Sequence, residues 1–247
     1  NVNQNIEITY TDFSKEDNWP GLIKENTRMI WLETPSNPLL KLVDINKIKK
    51  EIPNDDIKIV CDNTFASPYN QQPLTLGADV VLHSSTKYLG GHSDIIGGAI
   101  IIKNDNQLAE KIKYLQNAIG AVPSPFDCYM LIRSIKTLSV RMEKHNSNAM
   151  IISEHLRNHP KIKKVRYPGL KNDPNHNIAK SQMRGFGGII SVDLNTDLKG
   201  TLNFLESIEI FTLAESLGGV ESLIEHPAIM THASIEKNIR EELGISD

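Results

Sequence analysis

The sequence predicts an α/β protein: a mostly parallel sheet domain followed by a smaller α+β domain. Three observations carry that expectation. Short runs that are almost wholly apolar (Arg28 to Glu33, Ile57 to Val60, Val80 to Leu82, Gly98 to Ile102) alternate with helical patterns, as strands covered on both faces do. Polar clusters follow three of those runs directly: Glu33 to Asn37, Asp62, and Ser84 to Lys87. The chain has 247 residues, 39% of them hydrophobic, which suffices for two modest domains with substantial cores.

In order along the chain, Ile6 to Tyr10 reads as a short strand and Trp19 to Asn26 as a short helix. The strand Arg28 to Glu33 ends in the turn chemistry Thr34-Pro35-Ser36-Asn37-Pro38. Asp44 is placed to cap a helix through Glu51, with Ile45 and Ile48 at helical spacing. A polar loop, Asn63 to Pro73, separates the next two strands, and Gln107 to Ala118 forms a helix closed by Gly120. A long helical pattern from Phe126 to Asn158, bent near Ser139, leads into the second unit. There the strands are Ile162 to Arg166, Gly188 to Leu194 and Ile210 to Leu213. The helices are Ile178 to Met183, Thr201 to Ile208 and Ser234 to Leu243. The expected boundary gives domains 1–132 and 133–247.

Composition narrows the function classes. A net charge of -3 advertises no basic surface for nucleic acid. The two cysteines, Cys61 and Cys128, are far apart, so neither a disulfide framework nor a zinc site is expected, and no metal is assigned. No apolar run approaches the roughly 18 residues of a membrane span, and the first twenty residues are too polar for a secretory signal. The expected location is the cytoplasm, with no membrane partner. No G-x-G-x-x-G follows the first strand, which removes a dinucleotide-binding module.

The stretch from Asp79 to Gly98 joins an apolar run to a hydroxyl cluster (Ser84, Ser85, Thr86), Lys87 and two glycines, Gly90 and Gly91. Taken singly, Lys87 reads as a solvated lysine, Asp62 as a turn aspartate and Asn37 as a turn residue before Pro38. Together they share the position where open sheets collect ligands, just past the carboxyl ends of strands. Pyridoxal phosphate needs an amine for its aldehyde, a carboxylate for its ring nitrogen, hydroxyls for its phosphate and a donor for its ring oxygen. Lys87, Asp62, Ser84 with Thr86, and Asn37 offer those four functions.

The segments ETPSNPLLKLVDI (33–45), VCDNTFASPYNQQPLTLGADVVLHSSTKYLGGHSD (60–94), GAVPSPFDCY (120–129), KTLSVRMEKH (136–145) and FTLAESLGGVESLIEHPAIMTHASI (211–235) closely resemble the Cys/Met-metabolism family of pyridoxal-phosphate enzymes. Within it, the likeness is to the cystathionine γ-lyase branch, with the γ-synthase branch close behind. The resemblance implies the fold type I, aminotransferase-like architecture of pyridoxal-phosphate-dependent transferases. It implies pyridoxal 5'-phosphate as cofactor, held as an imine by Lys87. Asp62 would pair with the ring nitrogen, Ser84 and Thr86 with the phosphate, and Asn37 with the phenolic oxygen. Glu215 and Ser216 match positions lining the substrate site, Ser216 near the amino acid's carboxylate. Glutamate at 215 is more similar to the γ-lyase and γ-synthase branches than to the β-lyase or methionine γ-lyase branches. The implied substrate is a small sulfur amino acid, and the implied assembly is a homotetramer built as a dimer of dimers.

The sequence also departs from the family pattern. A glycine-containing phosphate loop, a ring-stacking aromatic and a tyrosine–arginine pair are expected upstream of Glu33 and are not found. The arginine expected to grip the substrate carboxylate would follow Asp247. The expectation is therefore a chain short at both ends, with full activity belonging to the intact protein. Two rivals stand beside the γ-lyase reading: a γ-synthase acting on an activated homoserine ester, and a catalytically silent binding or assembly unit.

Overall fold

The computed structural model describes residues 6–15 and 19–247. Alternation of side chains sets up the first strand, β1 (Met29–Glu33): Ile30 and Leu32 face the core while Met29 and Trp31 face outward. Asp44 accepts the Lys47 N–H at 2.9 Å and so starts α1 (Ile45–Glu51), which buries Ile45 and Ile48. β2 (Lys58–Asp62) buries Ile59, Val60 and Cys61. Two single-turn helices, α2 (Ser67–Asn70) and α3 (Pro73–Leu76), lead to β3 (Val80–Ser84), and β4 (Gly98–Ile102) follows. The strands lie in the order β1-β2-β3-β4, with β1, β2 and β3 parallel and β4 antiparallel. Ile30, Leu32, Ile45, Ile48, Ile59, Cys61 and Val81 form the core between sheet and helices.

Helix α4 (Asn106–Ile119) ends on Gly120, whose φ of 74° permits the left-handed cap. α5 (Pro125–Ile135) and α6 (Leu138–Leu156) follow. After them come β5 (Ile162–Arg166), α7 (His176–Gln182), β6 (Ser191–Leu194), α8 (Leu198–Ser207), β7 (Thr212–Leu213), β8 (Leu223–Ile224) and α9 (Lys237–Leu243). β5 pairs antiparallel with β6, and Arg166 forks onto Asp193 at 2.6 and 2.8 Å.

Buried amides tie α7 to the segments that follow β1 and β2. Gln71 donates to the Thr34 carbonyl and to Asn63 Oδ1, both at 2.9 Å, and Gln182 on α7 donates to Gln71 Oε1 at 2.9 Å. This network clasps the residues that directly follow β1 and β2.

Five expectations need correction. Ile6 to Tyr10 is not a strand: its backbone joins no ladder, and Ile6, Ile8 and Tyr10 stay exposed. The expected helix over 19–26 shrinks to one 3-10 turn, Pro20–Leu22, which Pro20 can open but Gly21 does not propagate. The loop 63–73 folds locally, since Pro68 and Pro73 sit in first helical turns. The sheet is not covered on both faces throughout: Trp31 is 56% exposed, and β4 is an antiparallel edge strand with Ile100 and Ile101 turned to solvent. The long helix breaks at Lys136–Thr137, slightly before Ser139, because Thr137 leaves helical geometry (φ -103°, ψ 3°).

Candidate functional site

In the parallel ladders Glu33 stands beside Asp62, and Asp62 beside Leu82. The ends of β1, β2 and β3 are therefore level, and Asn37, Asp62 and the turn after Ser84 leave the same edge of the sheet. Asp62 Oδ1 accepts the Thr64 N–H at 3.0 Å, and Thr64 Oγ1 accepts the Ser84 N–H at 2.8 Å. One residue thus links the carboxylate to the hydroxyl turn. The Asn37 N–H donates to Glu33 Oε1 at 2.5 Å.

Beyond β3 the chain forms a tight turn, Ser85–Leu89, kinked at Lys87 (φ -91°, ψ -128°). Tyr88 and Leu89 are buried, while Thr86 and Lys87 are half-buried. Thr86 Oγ1 accepts the Gly97 N–H at 3.0 Å and donates weakly to the Gly97 carbonyl at 3.4 Å. The Ser84 hydroxyl has no partner among the described residues.

The remaining residues arrive from β7, β8 and the segment after them. β7 and β8 pair in parallel, so Glu215 and Glu225 leave neighbouring strands in the same direction. The intervening loop is docked on the Lys87 turn. Gly218 has φ +78°, and a Cβ there would stand 2.7 Å from the Tyr88 nitrogen. The Val220 N–H donates to the Gly91 carbonyl at 3.1 Å, and Ser93 Oγ donates to Glu221 Oε2 at 3.1 Å. This docking brings Lys87 Nζ to 3.5 Å from Ser216 Oγ.

Glu225 is half-buried beside them. Burial raises its carboxyl above the ordinary range, the Thr231 hydroxyl opposes that, Glu215 raises it further and the Lys87 charge lowers it. Thr231 Oγ1 lies 3.3 Å from Glu225 Oε1 and 3.0 Å from His232 Nδ1, and His232 also hydrogen-bonds the Asn37 backbone. A polar path runs from Lys87 past Glu225, Thr231 and His232 to Asn37.

The structure thus brings Lys87 to Ser216 by contact and sets Glu215 beside Glu225, which feels the Lys87 charge. It sets Asp62, Ser84, Thr86 and Asn37 along one sheet edge, with no direct hydrogen bond between Lys87 and Asp62 among the described residues. Sequence reasoning missed Glu225, Thr64, Thr231 and His232. Glu225 carried the available signal, a polar residue just past a strand, but its strand has two residues and is too short to read. His83 was missed too. It is 6% exposed, and burial holds its pKa down to about 4, with the Asp62 charge pulling the other way.

These donors fit pyridoxal phosphate. A half-exposed amine, a carboxylate one strand away and an unengaged Ser84 hydroxyl converge where an α/β sheet binds ligands. Fold and donor set together define the class, a pyridoxal-phosphate-dependent enzyme of fold type I. The chain belongs to the family described as "Cys/Met metabolism PLP-dependent enzyme", whose model matches residues 1–247. It is 55% identical to a cystathionine beta-lyase of Coxiella burnetii, over 98% of this chain and 62% of that protein. It is 49% identical to a cystathionine gamma-lyase of Dictyostelium discoideum, over 100% of this chain and 63% of the relative. Among solved structures, a cystathionine gamma-lyase from Lactobacillus plantarum complexed with L-serine superposes with a TM-score of 0.91 at 47% identity, covering 96% of this chain and 62% of that one. The chain therefore spans about three fifths of the length of these relatives. Among the described residues no helix is long and apolar enough to cross a membrane.

Proposed function

We propose that the intact protein is a cystathionine γ-lyase, cleaving cystathionine to cysteine, 2-oxobutanoate and ammonia. The observation that carries this reading is the meeting of Lys87 with Ser216 and Glu225 at the sheet edge that also bears Asp62. Lys87 would hold the cofactor covalently through Nζ, Ser84 and Thr86 its phosphate, and Asn37 its phenolic oxygen. Bound there, pyridoxal phosphate supplies an electron sink for negative charge at the substrate's Cα. Asp62 would face the ring nitrogen and favour its protonated form. Lys87 Nζ would take the Cα proton as a general base. Ser216 donates to the substrate carboxylate, and Glu215 and Glu225 face the far end of the substrate, where cystathionine carries an ammonium group.

The same resemblance supports a small-molecule sulfur amino acid as substrate and a cytoplasmic homotetramer as the working form. It also supports division into domains 1–132 and 133–247, with the α5–α6 helix pair as the passage between them. The test is incubation of the intact protein with cystathionine and measurement of 2-oxobutanoate. Steady release supports a lyase acting at Cγ. Pyruvate in its place marks a β-lyase, and poor cleavage with efficient joining of cysteine to an activated homoserine ester marks a γ-synthase.

A further inference from the structure

The segment 136–145 resembles its family closely, yet the chemistry above uses none of it. Its Arg141 is 9% exposed, and among the described residues no carboxylate pairs with it. A buried guanidinium without a counter-ion is costly unless its donors are all engaged. Here they reach three neutral oxygens: the Tyr88 carbonyl at 2.7 Å, the Ser134 carbonyl at 3.0 Å and Thr137 Oγ1 at 3.1 Å. Ser134 and Thr137 flank the break between α5 and α6, so one side of the guanidinium is fixed to the helix pair. Its other side holds the residue directly after Lys87.

Tyr88 is gripped on every side. His145, one turn along α6, meets its ring edge-on at 5.2 Å. The Gly188 N–H donates to its hydroxyl at 3.0 Å, and Met142, fully buried, packs in the same cluster. Beyond the turn, the Gly91 N–H donates to the Lys87 carbonyl at 2.7 Å. A Cβ on Gly91 would collide with Arg141 Nη1 at 2.1 Å. The chain that follows Lys87, from Tyr88 to Gly91, is therefore moulded around Arg141, while the lysine side chain remains half-exposed.

We propose that Arg141 is a positioning residue for the Lys87 amine: anchored on Ser134 and Thr137, it holds the Tyr88 carbonyl and with it the kinked turn that presents Lys87 at the sheet edge. This rests on the reading of Lys87 as the residue that holds the cofactor, and the test separates the two. In the intact protein, Arg141→Met, Arg141→Lys and Gly91→Ala are compared with wild type by two measurements. One is amide hydrogen exchange over 85–91 without cofactor. The other is the fraction of Lys87 trapped by borohydride after adding pyridoxal phosphate, read by peptide mass.

Arg141→Met speeds exchange in 85–91 by about tenfold, the scale of one lost charge-assisted hydrogen bond, and leaves β1 and β2 unchanged. It lowers the trapped fraction of Lys87 in parallel. Arg141→Lys, which keeps a donor and the charge, restores most of that trapping. Gly91→Ala reproduces the loosening from the other side and carries the test if Arg141→Met does not fold. Wild-type exchange and trapping in Arg141→Met would overturn the proposal, as would a uniform rise in exchange through the whole protein. Absence of trapping at Lys87 in the wild type would instead refute the cofactor reading, while the exchange result would still decide whether Arg141 holds the turn.

Discussion

Lys87 Nζ lies 3.5 Å from Ser216 Oγ although 129 residues separate them along the chain. That length is the outer limit of a hydrogen bond, so neither group is saturated by the other. The amine is free to hold a cofactor and the hydroxyl to reach a substrate. Lys87→Ala should abolish the absorbance band that pyridoxal phosphate acquires on covalent binding. Ser216→Ala should keep the band but raise KM by about tenfold, the cost of one hydrogen bond to a charged carboxylate. Equal loss of the band in both variants would contradict this division of roles.

Asp62 makes one backbone contact of its own, the Thr64 N–H, and is not enclosed in the core. Its replacement should therefore spare the fold. Asp62→Ala should lower turnover by about two orders of magnitude or more, since the neutralised site no longer keeps the ring nitrogen protonated. Circular dichroism and the melting temperature of the cofactor-free protein should stay near wild type. Near-normal turnover would remove Asp62 from the site.

Gly218 holds the loop between β7 and β8 against the Lys87 turn. Its φ of +78° disfavours a side chain, and the contact with Tyr88 leaves no room for one. Gly218→Ala should cost about 1–3 kcal/mol in stability, measured by denaturant titration. It should also raise KM as Ser216 withdraws from Lys87. A stable variant with unchanged KM would show that the loop docks without this contact.

Much of this site was legible because its parts recur at strand ends. Asp62 and Lys87 follow long apolar runs, and such runs fix both the strand and the direction in which it exits. Glu225 follows a two-residue strand with no period to read, and β7 and β8 exist only because they pair with each other. Arg141 carries no local signal of its role, since nothing near it in sequence says that the Tyr88 carbonyl, 53 residues away, is among its acceptors. Ile6 to Tyr10 failed in the opposite way: alternation gives the propensity for a strand, but a strand forms only where a neighbour supplies hydrogen bonds.

Glu225 should respond to the charge of its neighbour Glu215. Burial is the main cause of the raised Glu225 pKa, and the Glu215 charge adds to it. A like charge disfavours ionisation, so Glu215→Gln should lower the Glu225 pKa. The Glu225 side-chain carboxyl signal, followed by NMR in the cofactor-free protein, should then titrate at lower pH in Glu215→Gln than in wild type. A Glu225 titration that stays in place in Glu215→Gln would show that the two carboxylates do not interact.

His83 should make the protein sensitive to mild acid. Well above pH 6.5 its imidazole is neutral in both the folded and the unfolded chain, so it contributes no pH dependence. Below that, the unfolded chain takes up a proton that the folded chain refuses until about pH 4, because burial penalises the charged ring. The unfolded state then binds more protons, and stability falls with pH across this window, by about 3 kcal/mol in total. Ordinary carboxylates titrate near pH 4 and contribute mostly below the window. His145, His226 and His232, whose pKa values are also lowered chiefly by burial, add slope of the same sign. The contribution of His83 is therefore read as a difference. His83→Gln, neutral throughout, should lose less stability than wild type between pH 7 and about pH 4.5 in denaturant titrations, and parallel curves would mean that the imidazole is protonated inside the fold.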